Sequence, residues 1–332
     1  VQEHPFQPLK MSEGADQGQL ASQNALRNVI DCFPQSSIVY AFGYGSGVFS
    51  QSLNDKHEGM LDIILVVDDA NQFHEENIDR NPSHYPSWLK ISGAGMASRV
   101  QRNFPLKDAR AFFQVVDTPV PMKYGVVHKD DLIRDLTLWD SLYLAGRLHK
   151  PTLPILPNTP DEILEAQSQN LQSAVAAALL LFPQEQEEKP VEWSSLYRQI
   201  ARLSYSGDFR TAIGAEHPQK ISKLVDAPGQ LGRFQTLYEP VLQPMEEMGL
   251  LSKSASHLEW NSTDQSTRKA LIQKLPPKVQ SYKNADDLAK MLAAIVAPAA
   301  RHQSFKGVFT LGFRKSITYA TAKLQKGLFR KR

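Results

Sequence analysis

Five residues carry the first chemical signal: Gly43, Tyr44, Gly45, Ser46 and Gly47, in the run YAFGYGSGVFSQ (Tyr40 to Gln51). Glycine has no Cβ, so a Gly-x-Gly-Ser turn lets backbone N–H groups close on an anion. The Ser46 hydroxyl can donate to a phosphate oxygen. A helix opening at GVFSQSLN would add the partial positive charge of its N-terminus. The spacing excludes two phosphate motifs. No GK[ST] follows, so this is not a P-loop, and the three glycines do not match the dinucleotide fingerprint. A tight turn without a ligand is the alternative. Asp62 is the second signal. It lies 16 residues after Ser46, at the start of DIILVV. A carboxylate among aliphatic side chains is costly to bury unless paired or metal-bound. Beside a phosphate cradle its natural partner is Mg2+, which prefers hard oxygen ligands and keeps substrate phosphates in its shell.

These residues need strands to carry them. SSIVYAF (Ser36 to Phe42) reads as a buried strand, and GMLDIILVVDD (Gly59 to Asp69) as a stronger one. Continuous apolar runs of this kind are usually buried on both faces. ARAFFQVVD (Ala109 to Asp117) and MKYGVVH (Met122 to His128) supply a third and fourth, joined by a turn-like TPVP. Leu132, Leu136, Trp139, Leu142 and Tyr143 fall at helical spacing in Asp131 to Leu148. KPTLPILPNTP (Lys150 to Pro160) is too proline-rich for regular structure and reads as a domain boundary. Residues 161–182, 193–204 and most of 220–251 read as helical, with an acidic loop at EQEEKP between the first two.

Bulk properties narrow the class. A chain of 332 residues suggests two domains, and 42% hydrophobic with 22% charged residues is ordinary for a folded protein. A single cysteine, Cys32, leaves no disulfide and no cysteine-based zinc site within these residues. The longest apolar run, AVAAALLLF, is far shorter than the ~20 residues of a membrane span. The opening VQEHPFQPLK has no apolar signal-peptide core. The charge is uneven: ten lysines and arginines and no acid follow Asp287, so the remainder is net acidic although the whole is +2. A basic end on an acidic body points to an anionic partner, membrane or nucleic acid.

A strand, a Gly-Ser turn, a helix and a strand with an inward Asp resemble the nucleotidyltransferase superfamily, the polymerase-beta-like fold. That superfamily usually has Asp-x-Asp on the second strand; here the second position is Ile64. Asp68 is too far along the strand to share one ion with Asp62, which leaves Asp117, Glu58 and Asp69 as candidates for the second carboxylate. The likeness then becomes specific. FGYGSGVF (Phe42 to Phe49), LDIILVVDD (Leu61 to Asp69), FHEENIDRNPSHYP (Phe73 to Pro86), KYGVV (Lys123 to Val127), DLTLWDSLYLAGRLHKP (Asp135 to Pro151) and RHQSFKGVFTLGFRKS (Arg301 to Ser316) follow in order along nearly the whole chain. Together they resemble the mitochondrial translocator assembly and maintenance family, the mitochondrial CDP-diacylglycerol synthases.

The resemblance implies an α+β protein. A nucleotidyltransferase domain would span residues 1–155, a mostly helical, winged-helix-like domain 156–300, and a basic tail 301–332. It implies a Mg2+-dependent transfer of CMP from CTP to phosphatidic acid, giving CDP-diacylglycerol for cardiolipin and phosphatidylglycerol synthesis, on the matrix side of the mitochondrial inner membrane. Ser46 and the loop around Gly43, Tyr44 and Gly45 would hold the β- and γ-phosphates, and Asp62 the metal at the α-phosphate. Lys123 and Arg147 would take the incoming phosphate or the leaving pyrophosphate, and Arg offers a planar fork for phosphate. His84 and Tyr85 would contact the nucleotide or its phosphates. Each has a plainer reading: a satisfied loop histidine for His84, a solvated strand-edge lysine for Lys123, a helix-end cap for Arg147. Trp139 and Tyr143 read as core, and His74 as structural or solvent-facing.

In the tail, Phe313, Ile317, Ala320, Leu324 and Leu328 share one helical stripe. Lys315, Lys323, Lys326 and Arg330 gather opposite it, with Arg314 beside them. A basic amphipathic helix is the pattern of a peripheral membrane anchor, and each surface cation near anionic lipid adds about 1 kcal/mol. A helix packed on the body and a nucleic-acid tail are the alternatives, and the acidic body gives no reason to expect nucleic acid. Two other functions stand beside the lipid enzyme: a nucleotidyltransferase acting on RNA ends, and a non-enzymatic import assembly factor.

Overall fold

The computed structural model of the chain describes residues 26–45, 47–49, 60–103, 109–116, 121–182, 190–207 and 220–311. The class is α+β, as expected. Residues 26–132, 152–160 and 300–311 form a sheet unit, and residues 133–151 and 161–299 a helical unit.

The sheet unit is built on β1 (Ile38–Tyr44), β2 (Leu61–Val67), β3 (Ala111–Val116), β4 (Met122–His128) and β5 (Leu153–Pro154), in the order β3-β4-β2-β1-β5. β2 and β4 run parallel, and the other neighbours are antiparallel. β1 continues past the expected Phe42 through Gly43 to Tyr44. β5 corrects the reading of Lys150 to Pro160 as lacking regular structure. Leu153 pairs with Gly43 and Pro154 with Phe42, which a proline permits because β5 is an edge strand.

Period-two alternation sorts the sheet into two faces. Leu61, Ile63, Leu65 and Val67 of β2 lie in one core with Ala41, Phe112, Tyr124 and Val126. The helices over that face supply the rest: Leu26, Val29 and Ile30 from α1 (residues 26–30), Ala70 and Phe73 from α2 (Ala70–Arg80), Leu89 from α3 (Ser87–Ser92) and Ala97 from α4 (Ala94–Arg102). Each large aliphatic or aromatic side chain so buried stabilises the fold by about 1.5–3 kcal/mol. Asp69 caps α2, accepting from the N–H groups of Asn71 and Gln72 at 2.8 and 2.9 Å.

The helical unit holds the remainder. α5 (Lys129–Leu138) crosses into it from the sheet unit, and α6 is the single turn Ala145–Leu148. The helical reading of Asp131 to Leu148 was therefore too long. The Asp135 carboxylate breaks that helix by accepting from the N–H groups of Ser141, Leu142, Leu144 and Ala145. It gathers a loop in which Trp139 and Leu142 sit at φ 49° and 54°. Trp139 is core, as read, and donates to Asn170 at 2.9 Å. α7 (Asp161–Leu180) buries the alanine-leucine run seen in the sequence. α8 (Trp193–Leu203), α9 (Lys220–Asp226), α10 (Gln230–Glu247) and α11 (Gln265–Lys274) follow, with a small sheet of β6 (Val191–Glu192), β7 (Ser252–Lys253) and β8 (His257–Glu259) in the order β6-β8-β7. α12 (Ala285–Leu311) begins in this unit and ends in the sheet unit. Among the described residues no helix is long and apolar enough to cross a membrane.

Buried histidines make this fold acid-sensitive. His74 is wholly buried, with Nδ1 on the Tyr85 hydroxyl and Nε2 on Gln101 Oε1, both at 2.8 Å. Burial disfavours the imidazolium and lowers its pKa to about 4. His149, buried in the helical unit, is lowered to about 3. The unfolded chain then binds more protons than the folded one below the ordinary histidine range, so the stability these groups contribute is complete above pH about 6.5 and is lost as pH falls toward 4. The melting temperature is expected to fall over that window. His74→Gln, at about 3 kcal/mol for the full His74 contribution, should shallow the fall in a pH series of thermal melts.

Candidate active site

Tyr44, Asp62 and Lys123 lie side by side. Asp62 pairs with Tyr44 of β1 on one side and with Lys123 of β4 on the other, and Lys123 pairs in turn with Val115 of β3. Directly paired residues point to the same face, so four strands present one row, and it lies on the face opposite the Ile63–Tyr124 core. All four positions are half-buried, whereas most of their strand neighbours are buried. A carboxylate, an ammonium and a phenol therefore share the rim of an otherwise apolar sheet. The Lys123 ammonium also sits 4.8 Å from the centre of the Phe113 ring.

The glycine run folds over this row. Gly45 takes φ +80°, and a Cβ added there would lie 3.5 Å from Asp62 Oδ2, so the turn passes directly beside the carboxylate. At Gly47 a Cβ would lie 2.3 Å from the Met60 carbonyl oxygen, a distance no side chain can occupy. The loop is thus pressed against the residue that leads into β2. The N–H groups of Val48 and Phe49 both donate to Gly45 O, at 3.2 and 3.4 Å. Those two bonds close the turn. Ser46 lies outside the described residues, as do Glu58, Asp117 and the tail positions Arg314, Lys315, Lys323, Lys326 and Arg330.

The other sequence candidates lie elsewhere. His84 and Tyr85 are buried on the opposite side of the sheet. His84 Nδ1 is 3.1 Å from the Tyr124 hydroxyl, and the Tyr85 hydroxyl accepts from Asn77 Nδ2 and donates to Nδ1 of His74, whose Nε2–H is given to Gln101. Tyr124 follows Lys123 on β4 and so points away from the row. Arg147 belongs to the helical unit, where its guanidinium stacks on Tyr143, 3.9 Å from the ring centre, and donates to the Tyr143 carbonyl. Asp69, a candidate second carboxylate, is engaged in capping α2. Ile64 is fully buried. Sequence reasoning missed Phe113, whose contact with Lys123 depends on the β3–β4 register, and it missed Asp135, whose signal was hidden inside an apparently continuous helix.

The donor set suits Mg2+ carried by a substrate. Among the described residues no group of three or more His, Cys, Asp or Glu converges on a metal site. Asp62 offers hard oxygen at the edge of the turn, and Mg2+ is commonly held by one or two carboxylates together with substrate phosphates rather than by a closed protein cage.

Known proteins are similar to most of this chain. The family model for mitochondrial phosphatidate cytidylyltransferase matches residues 26–287, which include every described residue of the row and the turn. The chain belongs to that family. Curated members similar to it carry the same name. The one from Bos taurus is 34% identical, with 91% of this chain and 94% of that protein covered. The one from Caenorhabditis briggsae is 32% identical over 91% and 98%, and the one from Schizosaccharomyces pombe 33% identical over 92% and 84%. The family match covers the sheet unit from α1 through β5 and stops within α12, before the basic tail.

The contact of Gly47 with Met60 yields a prediction. Gly47→Ala should force the turn off β2 and destabilise the sheet unit by about 1–3 kcal/mol, seen as a lower urea midpoint. Gly232→Ala, where an added Cβ meets nothing within 4 Å, should leave the midpoint unchanged or raise it.

Proposed function

We propose that this chain is a phosphatidate cytidylyltransferase, moving CMP from CTP to phosphatidic acid to form CDP-diacylglycerol and pyrophosphate. The observation that carries the reading is the Tyr44–Asp62–Lys123 row beneath a glycine turn, in a member of a family whose characterised proteins bear that name. The order β3-β4-β2-β1-β5, with β1 leading through the turn to β2, supports a nucleotidyltransferase fold. The helices and short three-stranded sheet of the other unit support a winged-helix-like domain.

The reaction asks little of acid–base chemistry. The lipid phosphate is already ionised at neutral pH, so no proton has to be removed from the nucleophile. One of its oxygens bonds to the α-phosphorus of CTP. The bond from that phosphorus to the bridging oxygen of the β-phosphate breaks, and pyrophosphate leaves. Catalysis is then positioning and charge stabilisation. Asp62 would hold Mg2+, which when bound neutralises charge at the α-phosphate. The Lys123 ammonium offers a second cation on the same row, for the incoming phosphate or the departing pyrophosphate. Peptide N–H groups of the glycine turn, with Ser46, would orient the β- and γ-phosphates. The work is assigned to the matrix face of the mitochondrial inner membrane, with the basic tail as peripheral anchor to anionic lipid and no nucleic acid as partner.

The test uses the purified chain, labelled CTP, phosphatidic acid liposomes and Mg2+. Label should enter the lipid phase, and chelating Mg2+ should abolish this. Asp62→Asn should lower it by about two orders of magnitude or more, with an unchanged circular dichroism spectrum. CTP binding without a lipid product would favour RNA acceptors. Absence of CTP binding would favour an assembly role.

A further inference from the structure

Gln303, Lys306 and Thr310 lie at i, i+3 and i+7 on α12, so they share one stripe, and all three are buried. A buried polar stripe is costly unless each group finds a partner. The partners here are β3 and the helix leading to it. Gln303 Nε2 donates to Ala111 O at 3.1 Å, and Thr310 Oγ1 to Phe113 O at 3.1 Å. Lys306 Nζ donates to Gln101 O at 3.1 Å. In return Gln114 Nε2 donates to Thr310 O at 2.8 Å. Lys306 is therefore set apart from the basic tail with which its charge was grouped.

These bonds do more than cover a sheet edge. β3 is the edge strand beside β4, and its outward carbonyls would otherwise template another chain. Phe113 is one of the anchored residues. Its ring lies over the backbone of Gly125, where an added Cβ would come within 2.5 Å of Cε1. Gly125 sets the ring from below, and Thr310 sets its backbone from the edge. On that ring rests the Lys123 ammonium. A continuous path of short contacts thus joins the end of α12 to one cation of the candidate site.

We propose that Thr310 and Gln303 are positioning residues for Lys123, acting through β3 and the Phe113 ring. The inference rests on the reading of Lys123 as a phosphate-binding cation.

The experiment measures kcat and KM in the full chain, with CTP, Mg2+ and phosphatidic acid dispersed in detergent micelles, so that membrane attachment is not limiting. Thr310→Val should lower kcat about tenfold while both KM values stay within about twofold. Thr310→Ser, which restores the hydroxyl, should restore the rate. On a Lys123→Arg background the same Thr310→Val change should cost less than about twofold, because the residue through which it acts is already altered. Full kcat in Thr310→Val, an equal loss on both backgrounds, or a loss that tracks the unfolded fraction by circular dichroism would overturn the proposal. If Thr310→Val does not fold, Phe113→Leu keeps the edge bonds and removes only the ring, and it should show the same kcat loss. Full kcat there overturns the proposal equally. A wild-type chain that forms no CDP-diacylglycerol would instead remove the functional reading beneath it.

Discussion

Asp62 and Lys123 are nearest neighbours across a parallel strand pair, and the functional geometry of the sheet unit depends on that register. Opposite charges about 5 Å apart between strands stay close enough to act on one ligand. A slip of one residue would turn Asp62 onto the face where Leu61 and Ile63 are packed. Leu61, Ile63, Leu65 and Val67 prevent it, because only one register buries all four. The row is thus a by-product of the core: the same alternation that hides the aliphatic side chains exposes the carboxylate at the strand's first turn outward. The glycine turn completes it from above, since its fit against Met60 needs the absence of a Cβ at one position.

Much of this was legible in the sequence because it rests on local signals. Aliphatic runs marked four of the sheet strands, glycine spacing marked the turn, and a lone Asp in an apolar strand marked the site. What escaped depends on distant partners. β5 forms within a proline-rich stretch because β1 offers it an edge, a fact invisible in KPTLPILPNTP itself. The break at residues 139–145 exists because one carboxylate, Asp135, can satisfy four backbone N–H groups that a continuous helix would have used internally. The pattern of Leu132, Leu136, Trp139 and Leu142 fits a helix all the same, because a loop packed on a core also needs apolar residues.

His84 and Tyr85 show a different limit. Their residue types suit nucleotide contact, and the SHYP run they occupy is distinctive in the sequence. In the fold they join Asn77, His74 and Tyr124 in a buried polar cluster under the sheet. A distinctive motif can mark a demanding piece of interior as well as a ligand contact. A polar cluster is demanding because every member must be satisfied at once. The Tyr124 hydroxyl, which Asn77 and His84 both address, sits back to back with Lys123, so the cluster fixes the strand that carries the cation.

The connectivity of the sheet unit sets an order of events when the chain is made. Its two edges are completed at different times: β5 lies at residues 153–154, after an excursion into the helical unit, whereas the helix that covers β3 ends only at Leu311. A chain emerging from its N-terminus can pair β1 with β2 and β4 with β3, and β5 can close the β1 border before half its length is made, but it carries the β3 border open until nearly all of its length is available. Over that interval the half-made sheet is a ready acceptor for other strands. A protein of this topology has reason to be held by chaperones until its C-terminal segment arrives.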